Sequence, residues 1–106
     1  MDKNLRKMKQ VLELLASPVV KQITYIGDMS VDELGLDFDD AYLMLKSDNF
    51  KQLGQKEKKI LNTLNKFLDK MSEHPNLWTK NALTVSPEWE KIRELAQKLL
   101  SSPNFK

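Results

Sequence analysis

The sequence predicts an all-α protein with a single domain over residues 1–106, a bundle of about five short-to-medium helices. Three observations lead to this prediction. Apolar residues recur at spacings of three and four along most of the chain, which is the periodicity of a helix with one buried face. Proline and glycine stand where these patterns stop, as is typical of helix ends. The one segment with strand-like composition has no partner segment to form a sheet.

The first predicted helix begins after Asp2, a residue type that caps helix N-termini well. Its apolar stripe consists of Leu5, Met8, Leu12 and Leu15. Ser17 and Pro18 end the helix, because the residue before a proline is driven out of the α conformation. The same pair is suited to start the next helix, with Ser17 as N-cap and Pro18 at the first helical position.

The segment from Val19 to Ile26 is ambiguous by composition. Its many β-branched residues favour a strand. Against this, Val19, Ile23 and Ile26 have helical spacing, and Gly27 is suited to end a helix. We therefore predict a short helix here, with a strand as the alternative.

The third predicted helix carries a regular inward face. Ser30 to Glu33 has the spacing of a capping box, in which the two side chains accept hydrogen bonds from each other's backbone amides. Gly35 weakens the helix by about 1 kcal/mol relative to alanine. The inward residues are Val31, Leu34, Phe38, Ala41, Tyr42 and Leu45.

The charge of the chain is concentrated in this same helix. Residues 28–45 contain six acidic residues and no basic one, whereas residues 1–27 and 46–70 carry net charges of +3 and +4. Carboxylates stacked along one helix repel each other by a few tenths of a kcal/mol per pair. The helix therefore gives up local stability for its charge, which favours an interaction surface over a purely structural role.

The second half of the chain continues the helical pattern. Residues 46–54 are predicted to form a loop or a short helical turn, and Lys56 to Lys59 to form a charged, solvated helix start. His74 and Pro75 then end this helix, the most regular in the chain. Its inward residues are Ile60, Leu61, Leu64, Phe67, Leu68 and Met71.

A connector from Leu77 to Val85 follows, in which Thr79 is placed to cap a single helical turn. Ser86 and Pro87 then begin the last helix as N-cap and first helical residue, and Ser101 to Pro103 ends it. Its inward face consists of Trp89, Ile92, Leu95, Ala96, Leu99 and Leu100. Because all connections are short, neighbouring helices are expected to pack antiparallel or nearly so.

Composition argues against several classes of function. The chain has no cysteine and one histidine, so neither a thiolate site nor a multi-histidine metal site can form within it. No apolar run approaches the roughly 20 residues needed to span a bilayer. A net charge of +2 gives no general argument for binding nucleic acid or membranes. We expect a cytoplasmic protein without a cofactor, a bound metal or catalytic residues.

The acidic sequence from Asp37 to Asp40 does invite a hypothesis of metal-dependent catalysis. Hydrolases with an Asp-x-Asp motif place it at the end of a parallel strand and need further Lys and Asp motifs, which this chain lacks. An EF-hand fails as well, because residues 41–45 offer no glycine turn. An enzyme that uses this cluster with Mg²⁺ is therefore the weakest of the functional hypotheses.

Four short blocks resemble a known family. They are Asp32-Glu33-Leu34-Gly35-Leu36-Asp37-Phe38-Asp39-Asp40-Ala41, Leu68-Asp69-Lys70-Met71-Ser72, Leu77-Trp78-Thr79 with Ala82-Leu83, and Pro87-Glu88-Trp89-Glu90-Lys91-Ile92-Arg93. Together they are similar to small all-helical bacterial immunity proteins of contact-dependent growth inhibition and related polymorphic toxin systems. The resemblance covers residues 18–100, and implies a non-enzymatic protein that binds and neutralises a cognate toxin, often a nuclease.

The acidic surface suggests how such a protein would bind. A nuclease active site is positively charged to hold phosphates, so a cluster of carboxylates could fill it. The predicted partner-binding residues are Asp32, Glu33, Asp37, Asp39, Asp40, Tyr42 and Trp78. The alternatives are a helical adaptor or regulatory subunit for another basic protein, and a solvated acidic face with no partner.

Overall fold

The structure, a computed structural model, describes residues 2–106 and confirms the all-α prediction. Within that range no strand is present, so the ambiguous segment after Pro18 is a helix. Residues 2–106 form six α-helices, five of them of seven residues or more. They are α1 (Lys3–Leu15), α2 (Val19–Ile26), α3 (Asp32–Ser47), α4 (Gln55–Met71), α5 (Lys80–Val85) and α6 (Pro87–Leu100), with 3-10 turns at Pro75–Leu77 and Pro103–Phe105.

Helix α1 is the centre of the bundle. It packs against α3 on one side and α6 on another, and α6 in turn packs against α4. The most extensive contacts therefore join helices that are not consecutive in the chain. The reason lies in α1, which buries Val11 in addition to its four predicted inward residues and so has an apolar face wide enough for two neighbours. Helices α3 and α4 meet only over a short stretch, and a groove opens between them.

The apolar periodicity identified most of the core, although the predicted inward residues Ile60, Phe67 and Leu100 are only half-buried against it. All six inward residues predicted on α3 are buried, as are Leu61, Leu64, Leu68 and Met71 of α4. Trp89 of α6 is the largest fully buried side chain, and its indole N–H donates to the carbonyl oxygen of Leu77 at 2.6 Å. The connector before α5 is thereby fixed to the core.

Three of the predicted helix caps are present. The Asp2 carboxylate accepts hydrogen bonds from the amides of Asn4 and Leu5 at the start of α1. Thr79 and Ser86 cap α5 and α6, each accepting from the amide three residues later. These side chains replace the hydrogen bonds that the first turn of a helix cannot make internally.

Two other predicted caps are wrong. The Ser17 hydroxyl donates back to the carbonyl of Glu13, so it closes α1, and Pro18 is the N-cap of α2. The Ser30 hydroxyl accepts from the amide of Asp32, two residues on, and no reciprocal pair with Glu33 forms. Val31 between them already has helical backbone angles, which shifts the register that a capping box requires.

Glu57 is buried, which corrects the prediction that residues 56–59 form a solvated face. Its side chain is 4% exposed and accepts hydrogen bonds from the backbone amide of Gly54 at 2.8 Å and from that of Asn104 at 3.1 Å. The side-chain amide of Asn104 donates to it as well, at 2.6 Å. Glu57 thus ties the start of α4 to the Pro103–Phe105 turn, whose Phe105 side chain is buried in the core.

Candidate functional site

The five predicted acidic residues of α3 lie on the side of the helix that faces away from the core. Asp32, Asp39 and Asp40 are exposed, and Glu33 and Asp37 are half-buried. All five belong to one helix whose inward residues are fully packed. The structure therefore brings these five predicted residues together on one surface.

The carboxylates form two rows along the helix. A helical residue is rotated by about 100° from the one before it, so Asp32 and Asp39 share one edge, while Glu33, Asp37 and Asp40 share the other. Between the rows lie Leu36 and Leu43, 56% and 52% exposed, which we call the leucine ridge. Sequence reasoning missed this ridge. The signal was available, because neither leucine falls in phase with the inward stripe.

Tyr25 of α2 extends the second row. Its hydroxyl donates to the Asp37 carboxylate at 3.0 Å, and the side chain is 48% exposed. This hydrogen bond, with the charges of Asp37 and Glu33, raises the pKa of Tyr25 above its ordinary value. The phenol therefore remains a neutral donor held beside α3. It was not among the predicted site residues, since the contact joins two separate helices.

Tyr42 is a correction to the predicted site. Its side chain is 9% exposed, and its hydroxyl donates to the Asn62 side chain at 2.7 Å. Its ring also stacks on Phe38, with centroids 5.8 Å apart. Tyr42 therefore joins α3 to α4 inside the bundle, because it falls on the inward side of the helix, and it is not part of the acidic surface.

Trp78 lies in the groove between α3 and α4. This α3–α4 groove has a volume of about 630 Å³. Phe38, Leu68 and Trp78 contribute apolar and aromatic surface, and carboxylates come from both helices. The lining residues are Ser30, Asp32, Gly35, Leu36, Phe38, Asp39, Asn65, Leu68, Asp69, Ser72, Pro75 and Trp78.

The position of Trp78 is fixed by three contacts. Its indole N–H donates to the carbonyl oxygen of Met71 at 2.9 Å, at the end of α4. Its ring meets that of Trp89 edge-to-face, with centroids 5.3 Å apart. The far edge of the ring reaches the backbone of α3 at Gly35. The groove thus has a rigid aromatic wall.

The arrangement is suited to binding through charge and apolar contact. Over residues 2–106, no three His, Cys, Asp or Glu side chains are placed to hold a metal ion together. The acidic run of α3 is divided, with Asp39 in the first row and Asp37 and Asp40 in the second. None of the helices in the described range is both long and apolar enough to cross a membrane.

Comparisons with protein-family models, with curated proteins and with solved structures find nothing that matches this chain. Negative charge and exposed apolar side chains lie together on α3.

Proposed function

We propose that this protein is a non-enzymatic immunity protein, which neutralises a cognate bacterial toxin by docking α3 on a basic surface of that toxin. The observation that supports this most is the leucine ridge between two rows of carboxylates. It combines an apolar centre with a charged border on a single, well-packed helix.

The leucine ridge provides the apolar part of such an interface. Single exposed leucines are ordinary on protein surfaces, but Leu36 and Leu43 lie two helical turns apart on the same line of α3. Protein interfaces often have an apolar centre that excludes water and a polar rim around it. Most of the binding energy then comes from a few central, desolvated side chains. The two leucines are placed to be such side chains.

The carboxylates select the partner. Rows of negative charge on both sides of the ridge attract a basic surface and repel an acidic one, which raises the association rate toward about 10⁸ M⁻¹s⁻¹ at low ionic strength. A nuclease cleft is one such basic surface, because it has to hold phosphates. The identification of the partner as a toxin rests on the resemblance of the sequence blocks to immunity proteins.

A growth assay tests the proposal. The protein encoded directly upstream of this chain is produced in bacteria with and without it, and survival and binding are measured. Expression of the chain is expected to restore growth. The variant Leu36→Ser/Leu43→Ser is expected to bind the upstream product at least tenfold more weakly and to fail to protect.

The matched control is Val20→Ser/Val85→Ser, which removes two exposed valines from α2 and α5. It is expected to protect as well as the native chain. Full protection by the ridge variant would contradict the proposed surface. Binding of the ridge to a non-toxic cellular protein, with no effect on the upstream product, would instead support the adaptor alternative.

A further inference from the structure

The α3–α4 groove has a composition distinct from that of the leucine ridge, with an apolar floor and an acidic rim. We infer that it receives a basic side chain of the protein partner, an arginine or lysine whose aliphatic stem lies on the floor and whose charged head meets the rim. This inference rests on the proposed function, since it takes the occupant from the same basic protein.

The groove is large enough for such an occupant. Its volume of about 630 Å³ lies within the range of binding clefts in proteins. Phe38, Leu68 and the Trp78 ring contribute apolar lining. Arginine and lysine bury their methylene groups on surfaces of this kind while the charged end stays near polar groups.

The charges of the groove select a cation. Carboxylates stand on both walls, Asp32 and Asp39 from α3 and Asp69 from α4, and the described lining contains no Lys, Arg or His. Within residues 2–106, no hydrogen bond or ion pair engages these three carboxylates. A basic side chain would be attracted from both walls, whereas an acidic one would be repelled by both.

The groove is also largely preformed. The hydrogen bond to Met71 and the edge-to-face contact with Trp89 hold the Trp78 ring in place. Phe38 and Leu68 are buried members of the core and so have little freedom to move. Little ordering of the floor is then required when the groove is occupied, which preserves affinity.

The groove and the leucine ridge are continuous. Leu36 belongs to both, and Asp32 and Asp39 form at once the first carboxylate row and one wall of the groove. A partner segment that places a basic residue beside an apolar one would therefore contact both features. This continuity is the reason for assigning the groove to the protein partner.

Two short peptides test the groove directly. The probe is acetyl-Leu-Arg-Leu-amide, and acetyl-Leu-Glu-Leu-amide is its acidic counterpart. Both are titrated into ¹⁵N-labelled protein, with observation of the Trp78 indole N–H and the amides of Leu68, Asp69 and Ser72. The basic peptide is expected to shift these signals saturably, and the acidic peptide to leave them in place.

Charge reversal then locates the site. Asp69→Lys, on α4, is expected to weaken binding of the basic peptide at least fivefold. Asp40→Lys makes the same change of charge in the second row, outside the groove, and is expected to weaken it less than twofold. Equal weakening by both variants, or equal shifts with the acidic peptide, would overturn the inference.

Binding of the upstream-encoded protein separates this inference from the proposed function. If that protein loses affinity for the ridge variant but not for Asp69→Lys, the proposed function stands and the groove is not occupied by the partner. If it binds no form of the chain while the basic peptide still fills the groove, the proposed function fails and the groove is a cation pocket of another use.

Discussion

The indole ring of Trp78 lies against the backbone of α3 at Gly35, so closely that a Cβ atom on Gly35 would stand 2.8 Å from Cη2 of the ring. The Trp78 ring therefore requires glycine at position 35. The helix accepts a residue with poor helical propensity because only glycine leaves space for the aromatic wall of the groove. The same contact places Trp78 next to the first row of carboxylates.

Gly35→Ala is expected to destabilise the protein by about 1–2 kcal/mol, although alanine favours a helix over glycine by about 1 kcal/mol. The ring cannot move aside easily, because Met71 and Trp89 hold it. In the Trp78→Phe background, where the smaller ring leaves more room, the same substitution is expected to be neutral or stabilising. Urea unfolding of the four proteins measures this, and equal effects of Gly35→Ala in both backgrounds would contradict the steric explanation.

The buried carboxyl of Glu57 is expected to make the free energy of unfolding depend on pH. Burial raises the pKa of this carboxyl, but hydrogen bonds from Ser102, Gly54 and Asn104 outweigh burial and lower the pKa below its usual value of 4.5. Because the folded pKa lies below the unfolded one, the contribution of Glu57 is complete above about pH 4.5 and disappears as the pH falls through the folded pKa.

Glu57→Gln places a side-chain amide opposite the N–H donors of Gly54 and Asn104. The substitution should lower the free energy of unfolding by about 1–3 kcal/mol at pH 7. In urea unfolding from pH 6 to pH 3, the difference from the native chain is expected to stay constant above about pH 4.5 and to shrink below it. Asp69→Asn, at an exposed carboxylate with no partner in the described range, is the control and should change little. A cost that does not vary with pH would show that the Glu57 charge is not the cause.

The fully buried side chain of Gln22, on α2, links this helix to α1 and α6. Its amide nitrogen donates to the carbonyls of Leu14 and Leu15 at the end of α1, and its oxygen accepts from Arg93 at 2.9 Å. Arg93 also donates to the carbonyl of Leu83. The guanidinium thereby has acceptors from α2 and α5.

Gln22→Leu is expected to destabilise the protein by about 2–4 kcal/mol, because it strips one acceptor from a partly buried charge and removes the side-chain donor of the Leu15 carbonyl. Thermal unfolding by circular dichroism measures this, with the exposed neighbour Lys21→Ala as control. If Arg93→Leu in the Gln22→Leu background restores part of the loss, the unpaired guanidinium is the main cost. No recovery would assign the cost to the hydrogen bond with the Leu15 carbonyl at the end of α1.

These residues also show what the sequence could predict. The helices and the core follow from the spacing of apolar residues, which is a local property of the chain. Glu57 and Asn104, by contrast, are 47 residues apart, and no local pattern connects them. The local pattern gives no reason for glycine at position 35, because the ring that requires it belongs to Trp78, which follows α4 in the sequence.

The candidate site, too, could be predicted only where it depends on the local sequence pattern. The run of acidic residues identified α3, and helical phase would also have identified Leu36 and Leu43 as outward-facing. The same phase placed Tyr42 inward, so its assignment to the binding surface gave too much weight to residue type. Tyr25 and the α3–α4 groove depend on how helices pack, which the local pattern does not determine.

Charge reversal on α3 is expected to act on the association rate. Asp37→Lys/Asp40→Lys should slow association with the upstream-encoded protein at least tenfold at low ionic strength, since the two substitutions change the local charge by four units. The effect is expected to decline as salt is added, because exposed charges are screened over about 10 Å at 0.1 M salt. Stopped-flow kinetics measures the rates, and circular dichroism checks that the helical signal is unchanged.

Asp37 also accepts the hydrogen bond of Tyr25, so loss of that contact has to be separated from loss of charge. Tyr25→Phe removes the hydrogen bond and keeps both carboxylates, and it is therefore expected to leave the salt dependence of association intact. If Tyr25→Phe slows association as much as the double charge reversal does, the position of α2 beside α3 matters more than charge. If neither variant alters the association rate, the acidic face of α3 does not guide the encounter.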